Sequence, residues 1–303
     1  MKKDILTLWD LKKDEIDKLF QRAIELKKRF KQGIYDRPLT GKSLGLLFEK
    51  ASTRTRISFE TAMIQLGGTP IFISSKDTQL SRNEPLKDTA RVLSGYIDVL
   101  AMRTYTQDDV REMAKESTIP VINALTDLYH PCQILSDILT VLEKKESYSG
   151  LKIAWVGDGN NVAHSWINAA AILGLELCLA CPKVFFPDKG ILDKALSDGC
   201  GNISVIENPV EAVSNADVIN TDVWASMGQE DELEGRISTF KPYQLNQKLL
   251  KKAKKDAIVL HCLPAHRDEE ITEEVLEGPN SAVWDQAENK MHMHKAILEY
   301  LLT

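Results

Sequence analysis

Three hydroxyls and two guanidiniums fall within five residues, Ser52-Thr53-Arg54-Thr55-Arg56. At a helix start the first backbone N–H groups have no intrahelical partner and the macrodipole presents its positive end, so the position already selects anions. Hydroxyl donors and a fork-shaped cation added there make a site for a phosphate. A Ser or Thr cap followed by solvated arginines is the plainer account of a lone Ser-Thr pair. Two arginines interleaved with three hydroxyls favour the oxyanion ligand.

Elements on both sides must hold this stretch. Leu44 to Phe48 is an apolar run of strand length, while Phe59, Ala62, Met63 and Leu66 recur at the spacing of one helix face before Gly67-Gly68. Strand, polar loop, helix is the predicted order, with the hydroxyls in the first helical turn. Lys12 to Lys31 predicts a helix packed through Ile16, Leu19, Phe20, Ala23 and Leu26. A strand at Ile71 to Ile73, a polar loop from Ser74 to Glu84, a helix from Pro85 to Gly95 and a strand from Val99 to Met102 follow, the last ending in Arg103. Val121 to Asn123 is the next strand; His130-Pro131-Cys132-Gln133 then leads a long helix that Gly150 closes.

Alternation restarts at Leu151. Strands are expected at Ile153 to Val156, Leu175 to Ala180, Ile203 to Ile206, Asp217 to Thr221, Ala257 to His261 and Ala282 to Asp285, then a final helix from Ala287 to Leu302. Such a pattern predicts an α/β fold of two domains, each a mainly parallel sheet flanked by helices, with ligands at the carboxyl ends of strands. The domains are expected at 1–134 and 150–286, joined by a helix over 135–149, with 287–303 packing back on the first. Arg103, Asp222, His261-Cys262 and Asp285 stand at strand ends.

The totals narrow the function. With 303 residues, 43% hydrophobic and 27% charged, the chain has the composition of a globular protein. A net charge of -6 and a pI near 5.6 give no basic stripe for nucleic acid. Lys27 to Lys31 and Lys251 to Lys255 read as solvated helix faces. No apolar run has the length of a membrane span and Met1-Lys2-Lys3-Asp4 opens no signal-peptide core, so the expected address is the cytoplasm, with no membrane partner. Five scattered cysteines, 132, 178, 181, 200 and 262, do not make a disulfide framework, and Cys178-x-x-Cys181 lacks the second pair that zinc requires. No metal or cofactor is expected.

Gly157-Asp158-Gly159-Asn160-Asn161-Val162 invites comparison with a dinucleotide fingerprint. Val162 stands at the third glycine position, and the strand Leu175 to Ala180 exits into Cys181-Pro182 with no acid to hold a ribose. A Rossmann-like shape without the dinucleotide is the expectation.

Ser52 to Arg56 resembles the Ser-Thr-Arg-Thr-Arg signature of the aspartate and ornithine carbamoyltransferases, and three further motifs extend the resemblance over essentially the whole chain. They are His130-Pro131-Cys132-Gln133, Asp222-Val223-Trp224-Ala225-Ser226-Met227-Gly228 and His261-Cys262-Leu263-Pro264. The Asp-x-x-x-Ser-Met-Gly element is similar to that of the ornithine branch; an aspartate-specific relative would offer cations for a second carboxylate, where this chain offers Asp222. The resemblance implies transfer of a carbamoyl group from carbamoyl phosphate to the side-chain amine of L-ornithine, by direct attack, giving citrulline and phosphate. It implies that Ser52, Thr53, Arg54 and Thr55 hold the phosphate, that Arg103 and His130 supply charge and a hydrogen bond to the carbonyl oxygen, and that Gln133 holds the carbamoyl NH2. Asn161, Asp222, Ser226 and Met227 would bind ornithine, with Cys262 and Leu263 lining the reacting end. Cys262 has no nucleophilic role, because attack by an amine needs no covalent enzyme intermediate.

Gln79 matches a position that in the family reaches the phosphate of a neighbouring subunit, which implies a homotrimer, or a multiple of trimers, with shared sites. Arg56 is expected to be structural. One departure stands out: in Gln286-Ala287-Glu288-Asn289-Lys290 the family usually has arginine where this chain has Lys290, so a carbamoyl phosphate contact keeps its charge and loses its planar fork. Close alternatives are a putrescine or N-acylated ornithine enzyme; more distant ones are a silent paralogue acting as a binding subunit and a nicotinamide dehydrogenase.

Overall fold

The computed structural model describes residues 2–74, 84–225 and 233–303. The expectations placed on Gln79, Ser226 and Met227 therefore lie outside the described residues. The chain divides into two compact units, residues 1–136 with 288–303, and residues 137–287.

In the first unit the order is α1 (Lys13–Lys31), β1 (Ser43–Phe48), α2 (Thr53–Gln65), β2 (Thr69–Ser74), α3 (Leu86–Ser94), β3 (Val99–Arg103), α4 (Gln107–Glu116), β4 (Val121–Leu125) and the start of α5 (Pro131–Lys145). The strands form one parallel sheet in the order β2-β1-β3-β4. Parallel neighbours need a crossover, and between β3 and β4 it is a helix that the sequence reading passed over. Thr106 caps α4 by accepting from the Asp109 N–H, while Val110, Met113 and Ala114 bury its inner face. That stripe is short and set among charged residues, which is why periodicity alone did not find it. Leu47, Leu100, Met102 and Val121 pack with it in the core.

One charged run also departs from expectation. Lys27 is buried, its Nζ 2.7 Å from Asn289 Oδ1, so the α1 face it occupies is packed rather than solvated. A long side chain can carry its ammonium across an apolar surface to a polar partner, and the helix period does not report that partner.

The second unit runs β5 (Lys152–Val156), α6 (Asn161–Leu173), β6 (Glu176–Ala180), α7 (Lys189–Asp198), β7 (Asn202–Ile206), α8 (Pro209–Val213), β8 (Val218–Thr221), α9 (Leu233–Phe240), α10 (Gln247–Leu250), β9 (Ile258–His261), α11 (Glu273–Leu276) and the start of α12 (Val283–Leu302). All five strands are parallel, in the order β7-β6-β5-β8-β9. Strand order reverses between β5 and β8, the crevice position at which doubly wound sheets bind ligands.

Two expectations fail here. Ala282 to Asp285 is not a strand: a single bridge joins Ser281 to Val259, and the chain turns into α12 at Val283. The run was too short for its period to separate strand from helix, and Asp285 falls in the first helical turn, 2.7 Å from the Lys144 ammonium. Lys251 to Lys255 follows the end of α10 as turns rather than as a helix face.

Candidate active site

The first unit gathers groups suited to an anion. Ser52 is the N-cap of α2, its Oγ accepting from the Thr55 N–H at 3.2 Å, so a residue expected at the anion site is also the helix cap. Thr55 is buried, while Thr53 and Arg54 are exposed. Among the described residues no carboxylate pairs with Arg54, leaving its fork to a ligand. Arg56 faces Glu60 at 2.9 Å and lies 3.6 Å from the centre of the Phe72 ring, in keeping with a structural part. It nevertheless lines, with Lys50, Ser52 and Thr53, a cavity of about 450 Å³.

Lys50 is a cation that the sequence reading missed. It is buried, paired with Asp127 and 4.2 Å from the centre of the Tyr105 ring. Its position just past the carboxyl end of β1, two residues before Ser52, was the available signal.

Arg103 comes to the same edge of the sheet, because β1 and β3 are neighbours with Phe48 paired to Arg103. The β3–β4 register shifts between Met102 and Arg103, an irregularity that re-aims a side chain at a strand end. His130 precedes Pro131 at the start of α5, the helical position where a proline loses nothing. Burial, then the charges of Lys290 and Arg103 and the ring of His294, hold the His130 imidazole well below its usual range, so it is neutral. A neutral His130 can offer a hydrogen bond but no charge. Lys290, 5% exposed on α12, donates to Gln133 Oε1 at 2.8 Å. The exits of β3 and β4 and a distant helix thus bring together Arg103, His130, Gln133 and Lys290. His294, one turn on from Lys290, stacks on Phe59 of α2 with ring centres 3.6 Å apart.

The second unit collects an acid and its holders. Asn160, Asp222 and Cys262 follow β5, β8 and β9, three adjacent strands, and lie at the reversal point. Asp222, 7% exposed, accepts from Asn160 Nδ2 at 2.9 Å on one oxygen and from the Val223 N–H at 2.9 Å and Cys262 Sγ at 3.1 Å on the other. Asn160, which reaches Asp222, also caps α6 by accepting from the N–H groups of Val162 and Ala163. Asn161 is the first residue of α6, half-buried. The resemblance points to Asn161 as a substrate contact; the partner that Asn160 makes with Asp222 is an addition that the fold supplies.

His261 takes the Leu263 N–H on Nδ1 at 2.9 Å and faces Glu270 from Nε2 at 3.0 Å. Both ring nitrogens are committed, so His261 orders the turn that presents Cys262 and Leu263 rather than reaching outward. Leu263 holds a left-handed φ of 60°, uncommon for a branched side chain and typical of a functional turn. Asp158 and Arg236 form a buried ion pair at 2.8 Å that the sequence did not expose. Burial first pushes the Asp158 carboxyl up to about 6, with Asp222 adding to the rise and Arg236 opposing it.

The second glycine of the fingerprint has a local use. A Cβ at Gly159 would lie 2.4 Å from Pro187 N and 2.6 Å from Phe185 O, and the Gly159 N–H donates to Phe185 O at 2.9 Å. In a dinucleotide site this close approach belongs to a pyrophosphate. Here the protein's own backbone occupies it.

Comparison with known proteins gives two family matches: the aspartate/ornithine carbamoyltransferase carbamoyl-P binding domain over residues 3–143, and the Asp/Orn binding domain of the same family over residues 149–301. The ornithine carbamoyltransferase of Desulfotalea psychrophila is 60% identical over 296 residues, covering 98% of each chain. That of Syntrophus aciditrophicus is 56% identical over 302 residues, covering 100% of each. Among solved structures, the ornithine carbamoyltransferase of Pyrococcus furiosus superposes with a TM-score of 0.95 at 47% identity, covering 99% of this chain and 97% of that one.

Proposed function

The chain belongs to the aspartate/ornithine carbamoyltransferase family, and we infer that it transfers the carbamoyl group of carbamoyl phosphate to the side-chain amine of L-ornithine, giving L-citrulline and phosphate. The observation that carries the substrate half is Asp222: a carboxylate fixed by Asn160, Val223 and Cys262 at the sheet's reversal point. An acid there suits a substrate bearing amines and repels the second carboxylate of aspartate.

Ornithine's side-chain ammonium first loses one proton to solvent to become a nucleophile, and its nitrogen gives up a second once the bond to carbon has formed. Its nitrogen then attacks the carbonyl carbon, and the oxyanion of the tetrahedral intermediate draws on Arg54, Arg103 and the neutral His130. Collapse breaks the bond to phosphate, which leaves against Ser52, Thr53, Arg54 and Thr55 with the proton the amine gives up. Gln133 holds the carbamoyl NH2, Lys290 adds charge beside it, and Cys262 and Leu263 line the reacting end. Asn161, Asp222, Ser226 and Met227 bind ornithine. Placement of the amine and charge on the departing oxygens supply the acceleration. We place the carbamoyl phosphate groups chiefly on a domain of residues 1–134, continued by the helix 135–149, and the ornithine groups on residues 150–286, with 287–303 packing back on the first.

A homotrimer with Gln79 completing a neighbour's site is part of the same reading. Ile57 and Ile64, two turns apart on one face of α2, and Ile71 on the edge strand β2 are exposed apolar side chains that support an interface on this unit. We place the reaction in arginine biosynthesis, because an acyl phosphate donor drives citrulline formation. A cytoplasmic address accords with five free cysteines; among the described residues no helix is long and apolar enough to cross a membrane. The test is citrulline formation with ornithine, putrescine, N-acetylornithine and aspartate offered side by side. Ornithine is expected to dominate; carbamoylation of another amine at a higher rate overturns the assignment of Asp222.

A further inference from the structure

Arg236 lies outside every motif that the chemistry uses, yet it is 7% exposed and its guanidinium is engaged by a carboxylate, a carbonyl and a ring. One nitrogen donates to Asp158 Oδ2 at 2.8 Å and to the Trp224 carbonyl at 2.9 Å, and the group lies 4.6 Å from the centre of the Phe185 ring. The two polar partners flank the site's acid. Trp224 is two residues beyond Asp222 on the exit of β8, and Asp158 is two residues before Asn160 on the exit of β5. Asn160 Nδ2 in turn holds Asp222 Oδ2 at 2.9 Å. A single side chain therefore ties the backbone that carries Asp222 to the loop that carries its amide partner.

We propose that Arg236 is a positioning residue for ornithine: by joining Asp158 to the Trp224 carbonyl it sets how Asp222 and Asn160 face each other, and so the direction in which the Asp222 carboxylate is presented. The proposal rests on the reading of Asp222 as the substrate-facing acid. Arg236 also supplies the counter-charge that lets a second carboxylate, Asp158, stand close to Asp222 without pushing it aside. Arginine suits both tasks, because a planar fork can serve a carboxylate and a carbonyl while stacking on a ring; lysine keeps the charge and loses the plane.

The test is steady-state kinetics on Arg236→Gln, Arg236→Lys, Asp222→Asn and the double variant Arg236→Gln/Asp222→Asn, each checked for folding by circular dichroism. Arg236→Gln is expected to raise KM for ornithine about tenfold while KM for carbamoyl phosphate moves less than about twofold. Arg236→Lys falls between, and serves in its place if the glutamine variant does not fold. Because the arginine acts through Asp222, its effect on the ornithine KM should largely vanish in the Asp222→Asn background. A folded Arg236 variant with an unchanged ornithine KM, or one whose two KM values rise together, overturns the proposal. Full retention of the arginine effect in the Asp222→Asn background also overturns it, while leaving Asp222 as the substrate's acid. An ornithine KM unmoved by Asp222→Asn would instead remove the reading beneath it.

Discussion

The groups for the anion and the groups for the amine are built by opposite means. In the first unit a helix start, written in five consecutive residues, presents donors outward: Thr53 and Arg54 are exposed. In the second unit a carboxylate is taken almost out of water and surrounded by donors from three strand ends, with a buried ion pair behind it. A phosphate arrives with its own charge and many oxygens, so loosely disposed cations and N–H groups suffice to hold it. A flexible diamine must be aimed, and aiming needs a rigid acid. The anion side thus begins as a local property of the chain, to which the fold adds Arg103, His130, Gln133 and Lys290, whereas the acid of the amine side is placed by the folded sheet alone.

The sharpest way to break this contrast is to remove a cation from the anion side. Arg103→Ala is expected to lower kcat/KM about a thousandfold, with kcat falling as well as affinity, because the charge meets the oxyanion of the transition state. A loss confined to KM for carbamoyl phosphate would place Arg103 in ground-state binding only. Asp222→Asn should cost about a hundredfold in kcat/KM for ornithine and narrow the preference over uncharged amines, since the isosteric amide preserves shape and removes the charge. Equal losses for charged and uncharged amines would show that Asp222 shapes the pocket without reading charge.

Acid should separate the two units. His130 and His294 are held well below the usual histidine range, and His292 near 3, chiefly by burial in the first unit. Native imidazoles that stay neutral add stability above the unfolded pKa, near 6.5. Below it the unfolded chain takes up protons that the native one refuses, and stability declines until the native groups titrate. Three such groups give a decline of up to about 4 kcal/mol per pH unit between about pH 6.5 and 4.5. Asp158 works in the other direction: its native carboxyl titrates at about 6 against 3.8, so between those values the native state gains a proton that the unfolded state lacks. Urea midpoints measured from pH 7 to 4.5 should fall, and hydrogen exchange should accelerate first in α12 and α2; His294→Phe, which keeps the stack on Phe59, should flatten the fall. Faster exchange beginning in the second unit would contradict it.

The smallest effect expected is at Lys290. Its ammonium reaches Gln133 Oε1 through a single donor, so Lys290→Arg, by restoring a planar fork, should lower KM for carbamoyl phosphate about threefold. An unchanged constant would mean that lysine serves the site as well as arginine.

Apart from the short helix α4, what depended on neighbours in sequence was legible before the fold. The hydroxyl-rich helix start, the alternation of strands and helices, and the polar residues Arg103, Asp222 and Cys262 at strand ends all follow from local period and type. What escaped depends on partners far along the chain. Lys27 looked solvated because Asn289 is 262 positions away. Arg236 drew no notice because Asp158 is 78 positions away. The Asn160 contact with Asp222 was hidden because the two residues are 62 positions apart. Ala282 to Asp285 failed for a different reason: four apolar and acidic residues satisfy either period, and the choice fell to the helix that the following residues extend.

Gly159 carries a consequence for how such a sheet can change trades. A crevice that other chains fill with a nucleotide is closed here by backbone at Phe185 to Pro187, with no room for even a methyl group. Converting this scaffold to redox chemistry would require rerouting a loop, and no single substitution at the glycine-rich turn would open it. Dye resins that retain dinucleotide-binding proteins should let this one flow through.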